Sequence, residues 1–229
     1  MMLSRGSMLS LIAGAAPVLA ARSLKAVAYS PSEAQDPPHG DYFGLIEGLA
    51  GGLIAVSTNG TAVLAYLCDG SGHAPTVAQW FRGTVAGRAI ALHAPNGARL
   101  QATAGARGVA GHVTLANGRT FAFSARKFEA LSSPHQPGLY RSTKTVGGTK
   151  YVGGWIAIPE SAGALLRGGA VLDQKTGAVL ASGSPDFGAL RAFVPGLGTF
   201  VLKGIGGAVY ADGCGIGYHR NVNGYCVPN

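Results

Sequence analysis

The sequence predicts a mainly β protein: an antiparallel meander that closes as an up-and-down β-barrel, with a β-sandwich as the alternative. Two observations carry this. From Leu53 to Arg126 apolar and polar residues alternate in short runs, the period of a strand with one buried face. Those runs are separated by Asn59-Gly60, Asn96-Gly97 and Asn117-Gly118. Asn-Gly between alternating runs is the strongest short-range hairpin signal, a tight turn with both residues at positive φ. Composition agrees: the chain holds 37 glycines and only 12% charged residues. Glycine destabilises a helix by about 1 kcal/mol relative to alanine, whereas turn-rich β structure tolerates it.

Taken in order, residues 1–28 read as a signal peptide. Arg5 supplies the basic start, Met8 to Ala16 the short apolar run, and small residues place cleavage after Ala20 or Ala28. The run is too short to span about 30 Å of hydrocarbon. Secretion or a periplasmic location follows as an expectation. Residues 29–40 contain Ser30-Pro31, Asp36-Pro37-Pro38 and His39-Gly40 and read as a flexible linker. The antiparallel β domain is placed at 41–205, and 206–229 is a Gly-rich tail. Leu45 to Val56 is apolar but broken by Glu47 and three glycines, so the mature chain has no predicted transmembrane segment. An outer-membrane barrel needs strands of about 9–11 residues with an apolar outer band; the runs here are shorter and polar on one face.

The first hairpin pairs Leu53–Thr58 with Ala62–Leu67. Val77–Val85 follows, with Val77, Gln79, Phe81, Gly83 and Val85 on one face and Ala78, Trp80, Arg82 and Thr84 on the other. Each face thus carries a large ring, and alternation does not say which is core. In the next strands Ala98, Leu100 and Ala102, then Val109, Gly111, Val113 and Leu115, then Phe121 and Phe123, all fall on the core side. Gly138–Val146 and Lys150–Ile158 flank Gly147-Gly148, and Ala170–Asp173 and Ala178–Ala181 flank a longer turn. One or two short helices are expected, at 161–166 and at 185–193, the latter started by Ser184 as N-cap and Pro185 at N1.

Chemistry is sparse. The formal charge of +8 becomes +5 if cleavage after Ala28 removes Arg5, Arg22 and Lys25, leaving 15 basic against 10 acidic side chains. These are scattered, so no nucleic-acid partner is predicted. No Gly-x-Ser-x-Gly elbow, His-Glu-x-x-His or phosphate loop occurs. The six histidines are far apart in sequence, and no metal or cofactor is assigned. Asp69-Gly70 and Asp212-Gly213 read as turn formers; Glu47 alone sits in an apolar run. Aromatic residues give the best candidate site. Trp80, Phe81, Tyr140, Tyr151 and Trp155 are read as a ligand-binding set at a barrel mouth, able to stack on a glycan or an apolar molecule. Gly153-Gly154 beside Trp155 leave room for a ring or a ligand. Core filling by the same rings is the competing explanation.

Of the three cysteines, Cys214 and Cys226 bracket the tail and are expected to form a disulfide, which would stabilise by roughly 3 kcal/mol. Cys68 is then the odd, buried thiol. A zinc site from Cys214, His219 and Cys226 lacks a fourth ligand.

The tail Gly213-Cys214-Gly215-Ile216-Gly217-Tyr218-His219-Arg220-Asn221, closing with Gly224-Tyr225-Cys226-Val227-Pro228-Asn229, resembles the Cys-bracketed endings of small, uncharacterised bacterial secreted proteins. Ala65 to Gly70, Trp80 to Thr84, Gly138 to Arg141 and Gly153 to Ile156 are similar to extracellular β-rich domains of bacterial envelope proteins. The resemblance implies export and a disulfide, and no activity. The resulting expectation is an exported, non-catalytic module that binds a small apolar or glycan ligand or an envelope partner. The alternatives are an envelope hydrolase whose residues (Glu47, His73, His93 and His112) converge only in space, and a structural or inhibitory module.

Overall fold

The computed structural model describes residues 38–70, 74–127, 138–159 and 165–205, with the backbone of 218–220 and 226–228. The expected signal peptide, nearly all of the linker and the Cys214–Cys226 pairing lie outside the described residues. Eight strands form a closed antiparallel barrel: β1 (His39–Ile46), β2 (Leu53–Asn59), β3 (Ala62–Cys68), β4 (Ala78–Ala86), β5 (Ala89–His93), β6 (Arg99–Ala104), β7 (Gly108–Thr114) and β8 (Thr120–Lys127). Each pairs with its sequence neighbour, and β1 meets β8 through Tyr42↔Lys127 to Ile46↔Phe123. This is the predicted up-and-down barrel.

Eight strands leave an interior just wide enough for side chains to fill, and the alternation seen in the sequence fills it. Ile54, Leu67, Phe81, Leu92, Leu100, Val113 and Phe123 all turn inward and are buried. Each such aliphatic or aromatic burial contributes about 1.5–3 kcal/mol. The small radius forces neighbouring backbones together at inward-facing glycines. A Cβ on Gly44 would lie 2.0 Å from the Ser124 carbonyl oxygen, and one on Gly111 would lie 2.1 Å from that of Gln101. No side chain fits there, because the obstacle is main chain on the next strand.

The turns differ in type from the expected form. Among the described residues Leu190 is the only non-glycine at positive φ, so the Asn of each Asn-Gly pair is not in the left-handed region. At Ala94 to Ala98 the Gly97 N–H donates to the Ala94 carbonyl and Ala94 N–H to Ala98, which is a type I turn followed by a left-handed glycine. Leu115 to Arg119 repeats it. The asparagine instead accepts main-chain N–H groups: Asn117 Oδ1 from Arg119 at 3.1 Å, Asn59 Oδ1 from Ala62 at 2.8 Å. The two-residue form with both φ positive occurs at Gly147-Gly148.

Beyond the barrel, β9 (Gly138–Val146), β10 (Thr149–Pro159), β11 (Leu165–Asp173), β12 (Val179–Ala181) and β16 (Lys203–Ile205) form a sheet in the order β12-β11-β10-β9-β16. A smaller sheet follows from β13 (Ser184–Asp186), β14 (Arg191–Val194) and β15 (Gly198–Val201), and β17 (Tyr218–Arg220) pairs with β18 (Cys226–Pro228). The layers stack. Leu139, Val152, Ile156, Ala170 and Leu172 pack on the outside of the barrel, against Phe43, Leu53, Ala55, Tyr66 and Ala78. The opposite face, with Tyr140, Trp155 and Val171, is covered by Phe187, Ala192, Val194 and Phe200 of the smaller sheet and its turns. Strand β10 is therefore buried on both faces from Val152 to Ala157.

The expected short helices are not present: the described residues contain no helix. Of 161–166, only Leu165 and Leu166 are described, and both belong to β11. At 185–193 the Ser-Pro start signal is overridden by pairing, with Pro185↔Ala192 and Asp186↔Arg191 in register. Asp186 Oδ1 accepts the Ala189 N–H at 3.0 Å and closes a turn rather than starting a helix. No helix among the described residues is long and apolar enough to cross a membrane.

Candidate functional site

Strand β4 explains why its two ring-bearing faces looked alike in sequence. Phe81 is 1% exposed inside the barrel. Trp80 points out of the barrel, toward the five-stranded sheet, where its ring meets Tyr66 at 4.5 Å between centroids and the Arg141 guanidinium at 5.5 Å. Both faces of the strand are core-like because each faces a different layer.

The other three predicted ligand residues sit elsewhere. Tyr140 and Trp155 are buried on the far face of the five-stranded sheet, and Tyr151 packs half-buried against the same cluster. A Cβ on Gly153 or Gly169 would fall 2.0 or 2.2 Å from the Trp155 indole, and one on Gly154 would fall 2.4 Å from the Tyr66 ring. The glycines beside Trp155 thus make room for rings of the protein itself. Trp155 Nε1 is buried without a hydrogen-bond partner among the described residues.

A cleft of about 320 Å³ opens where the barrel meets the sheet. Its walls include Leu64, Trp80, Arg82, Arg141, Val152 and Leu172, and its lip is the turn from Asp173 to Gly177 between β11 and β12. Phe81 also borders it, though its side chain belongs to the barrel interior. Of the five predicted residues, then, Trp80 and Phe81 reach the cleft. Arg82 follows from alternation, since it shares the outer face of β4 with Trp80. Arg141 comes from β9 and Lys175 from the β11–β12 turn, and nothing local in the sequence brings them to Trp80.

The polar groups around the cleft divide sharply. Gln79 donates through Nε2 to the Trp80 carbonyl at 3.0 Å and accepts from Asn96 Nδ2 at 2.6 Å. Asn96 Oδ1 accepts the Ala98 N–H at 3.2 Å. Asp173 Oδ1 accepts from Lys175 N at 2.7 Å and Thr176 N at 3.0 Å. Those turn N–H groups, Thr176 first and then Lys175, hold its carboxyl below the usual carboxylate range. Trp80 Nε1 is buried with no hydrogen-bond partner among the described residues. An unsatisfied buried donor costs about 1–3 kcal/mol.

Cys68 is buried and free, and burial pushes its thiol up to about 12. It lies under the five-stranded sheet beside Tyr66, whose hydroxyl donates to the Ala170 carbonyl at 3.4 Å. Burial raises the Tyr66 hydroxyl well above its ordinary value too. A thiol this protonated and enclosed is a poor nucleophile. Asp69 is buried as a turn former: its carboxylate accepts from Thr76 N at 2.8 Å, Val77 N at 2.9 Å and the Thr76 hydroxyl.

The described residues named for a hydrolase sit on separate elements. Glu47 is exposed in the β1–β2 turn, and His93 and His112 are exposed on the barrel's outer face; His73 lies outside the described residues. No group of three metal-ligating side chains occurs among the described residues. No family model, curated protein or solved structure matches the chain.

Proposed function

We propose that the protein is a non-catalytic binding module of the cell exterior or envelope, whose ligand sits in the cleft between the barrel and the five-stranded sheet. The barrel interior is occupied by the protein's own side chains, so a ligand belongs outside it. The observation that carries this reading is the cleft itself: about 320 Å³, at the small end of ligand sites of about 300–1,000 Å³, with an aromatic wall and a few polar groups at its rim. Export rests on the sequence of residues 1–28. The barrel's outward positions Arg82, His93, Arg99 and Gln101 are exposed and would be penalised in hydrocarbon, which favours an aqueous compartment.

Native mass spectrometry of protein purified from its host tests the reading. The wild type should carry a small molecule, and Thr176→Trp, at the exposed lip of the cleft, should lose it. A bare wild-type mass, or equal retention by Thr176→Trp, would overturn the assignment. The same spectra should give a mature N-terminus at Ala21 or Tyr29.

A further inference from the structure

We propose that the cleft takes a small oxyanion, a carboxylate or phosphate carried on a sugar-sized body, held by Arg82, Arg141 and Lys175 with the Trp80 indole N–H as a further donor. This rests on the binding reading above and names the ligand's chemistry.

The argument is an accounting of donors and acceptors. A neutral sugar is recognised by groups that offer both. Around this cleft most side-chain groups able to accept are already engaged, the exposed Gln174 amide at the lip being the exception. The Gln79 carbonyl oxygen is taken by Asn96 and the Asn96 oxygen by Ala98. Asp173 is committed to its own turn, and Thr176 Oγ1 accepts the Ala178 N–H at 3.2 Å. Apart from that amide, what is left uncommitted only donates: two guanidiniums, an ammonium and the Trp80 N–H, none of which can accept a hydrogen bond. Charge agrees. The cleft is lined by three cationic side chains and one carboxylate. Arg141 is the best placed, half-buried and laid over the Trp80 ring at 5.5 Å, where its planar fork is restrained before a ligand arrives. The apolar wall of Leu64, Val152 and Leu172 suits the body to which the oxyanion is attached. Carboxylate and phosphate both match this donor set, so the experiment separates them.

The test follows the Trp80 indole N–H by two-dimensional NMR, assigned by its loss in Trp80→Phe, during titration with galacturonate, galactose 1-phosphate and galactose. One of the charged probes should move that resonance with a dissociation constant at least about tenfold below that of galactose, a difference of about 1.4 kcal/mol. The tighter of the two identifies the oxyanion. Binding should weaken as salt is raised and fall about tenfold or more in Arg141→Gln. If that variant's spectrum shows it is not folded, the exposed pair Arg82→Gln with Lys175→Gln replaces it. Galactose binding as tightly as the charged probes overturns the oxyanion and leaves the cleft standing. Charged probes that move only resonances remote from Trp80 overturn both. No response to any probe overturns the oxyanion, and the native mass measurement then decides the cleft separately.

Discussion

The barrel and the stacked sheets use glycine for opposite reasons. In the barrel, Gly44 and Gly111 sit where a neighbouring strand's carbonyl blocks any Cβ; in the sheet, Gly153, Gly154 and Gly169 sit where an aromatic ring does. The difference reflects how each region is closed. The barrel meets its own edge and fills its own interior, so its constraints are set by main-chain geometry. The five-stranded sheet has two apolar faces and needs a partner on each, the barrel on one side and the smaller sheet on the other. Its constraints are set by aromatic side chains, its own Trp155 at Gly153 and Gly169 and the barrel's Tyr66 at Gly154. The barrel closes its interior alone and lends one outer wall to the sheet, which depends on that wall.

That dependence predicts an asymmetry between two core truncations, the largest effects expected here. Phe81→Ala and Trp155→Ala should each cost about 3–5 kcal/mol. Losing Phe81 should destabilise every layer, because the sheet rests on the barrel wall. Losing Trp155 should release the sheets first. Hydrogen exchange would then rise across β9 to β15 in Trp155→Ala while β5 to β8 stay protected. Equal loss of protection in the barrel would show a single cooperative unit and break the comparison.

The glycines offer a finer version. Gly111→Ala and Gly154→Ala should each cost about 1–3 kcal/mol by overpacking. A second substitution separates them. Tyr66→Leu should recover part of the Gly154→Ala loss beyond additivity, because it removes the ring in the way. Gln101→Ala should recover nothing for Gly111→Ala, since the obstruction is the Gln101 carbonyl. Urea unfolding of the two double-mutant cycles would measure both coupling energies.

The same contrast explains what could be read in advance. The inward faces of β6 to β8 followed from alternation alone, down to Phe121 and Phe123, because each strand pairs with its sequence neighbour, whereas alternation left the core face of β4 open. Turn positions were legible too, although the Asn-Gly pairs turned out to be left-handed only at glycine, with the asparagine side chain bonding the backbone. The helix expected at 185–193 failed because strand pairing of Pro185 and Asp186 with β14 outweighed a local start signal. The candidate cleft was half legible. Trp80 and Arg82 share a face by period two, but Arg141 and Lys175 reach it only through layer stacking, which no local pattern encodes. Trp155 misled for the same reason, since a ring flanked by glycines looks identical whether the space is filled by a ligand or by neighbouring rings.

The interface between the two regions should also show in alkali. Cys68 lies between barrel and sheet with its thiol pushed up to about 12 from 9.0 by burial. Because the folded value is raised, the native state keeps a proton that the unfolded chain releases. The stabilisation is complete below pH 9 and is lost as pH rises from there toward 12. Over the first unit above pH 9 the loss approaches about 1.4 kcal/mol for this group. Cys68→Ala should flatten the stability–pH curve by up to that amount, on top of a constant packing loss. An unchanged slope would mean that the thiol is not sealed between the layers.

The smallest effect tests whether the cleft's cations serve the fold. Arg82 lies directly opposite His93 on β5, which lies opposite Arg99 on β6, and all three are exposed. Arg82 and Arg99 thus share one cross-strand row, two strands apart, and like charges there repel rather than stabilise. Arg82→Gln should therefore raise stability by a few tenths of a kcal/mol at low salt, with the gain fading as salt screens the row. Loss of stability on that substitution would give Arg82 a structural role in joining barrel to sheet. A gain would leave the fold with no use for its charge, and the reason for a cation at that position would have to come from what enters the cleft.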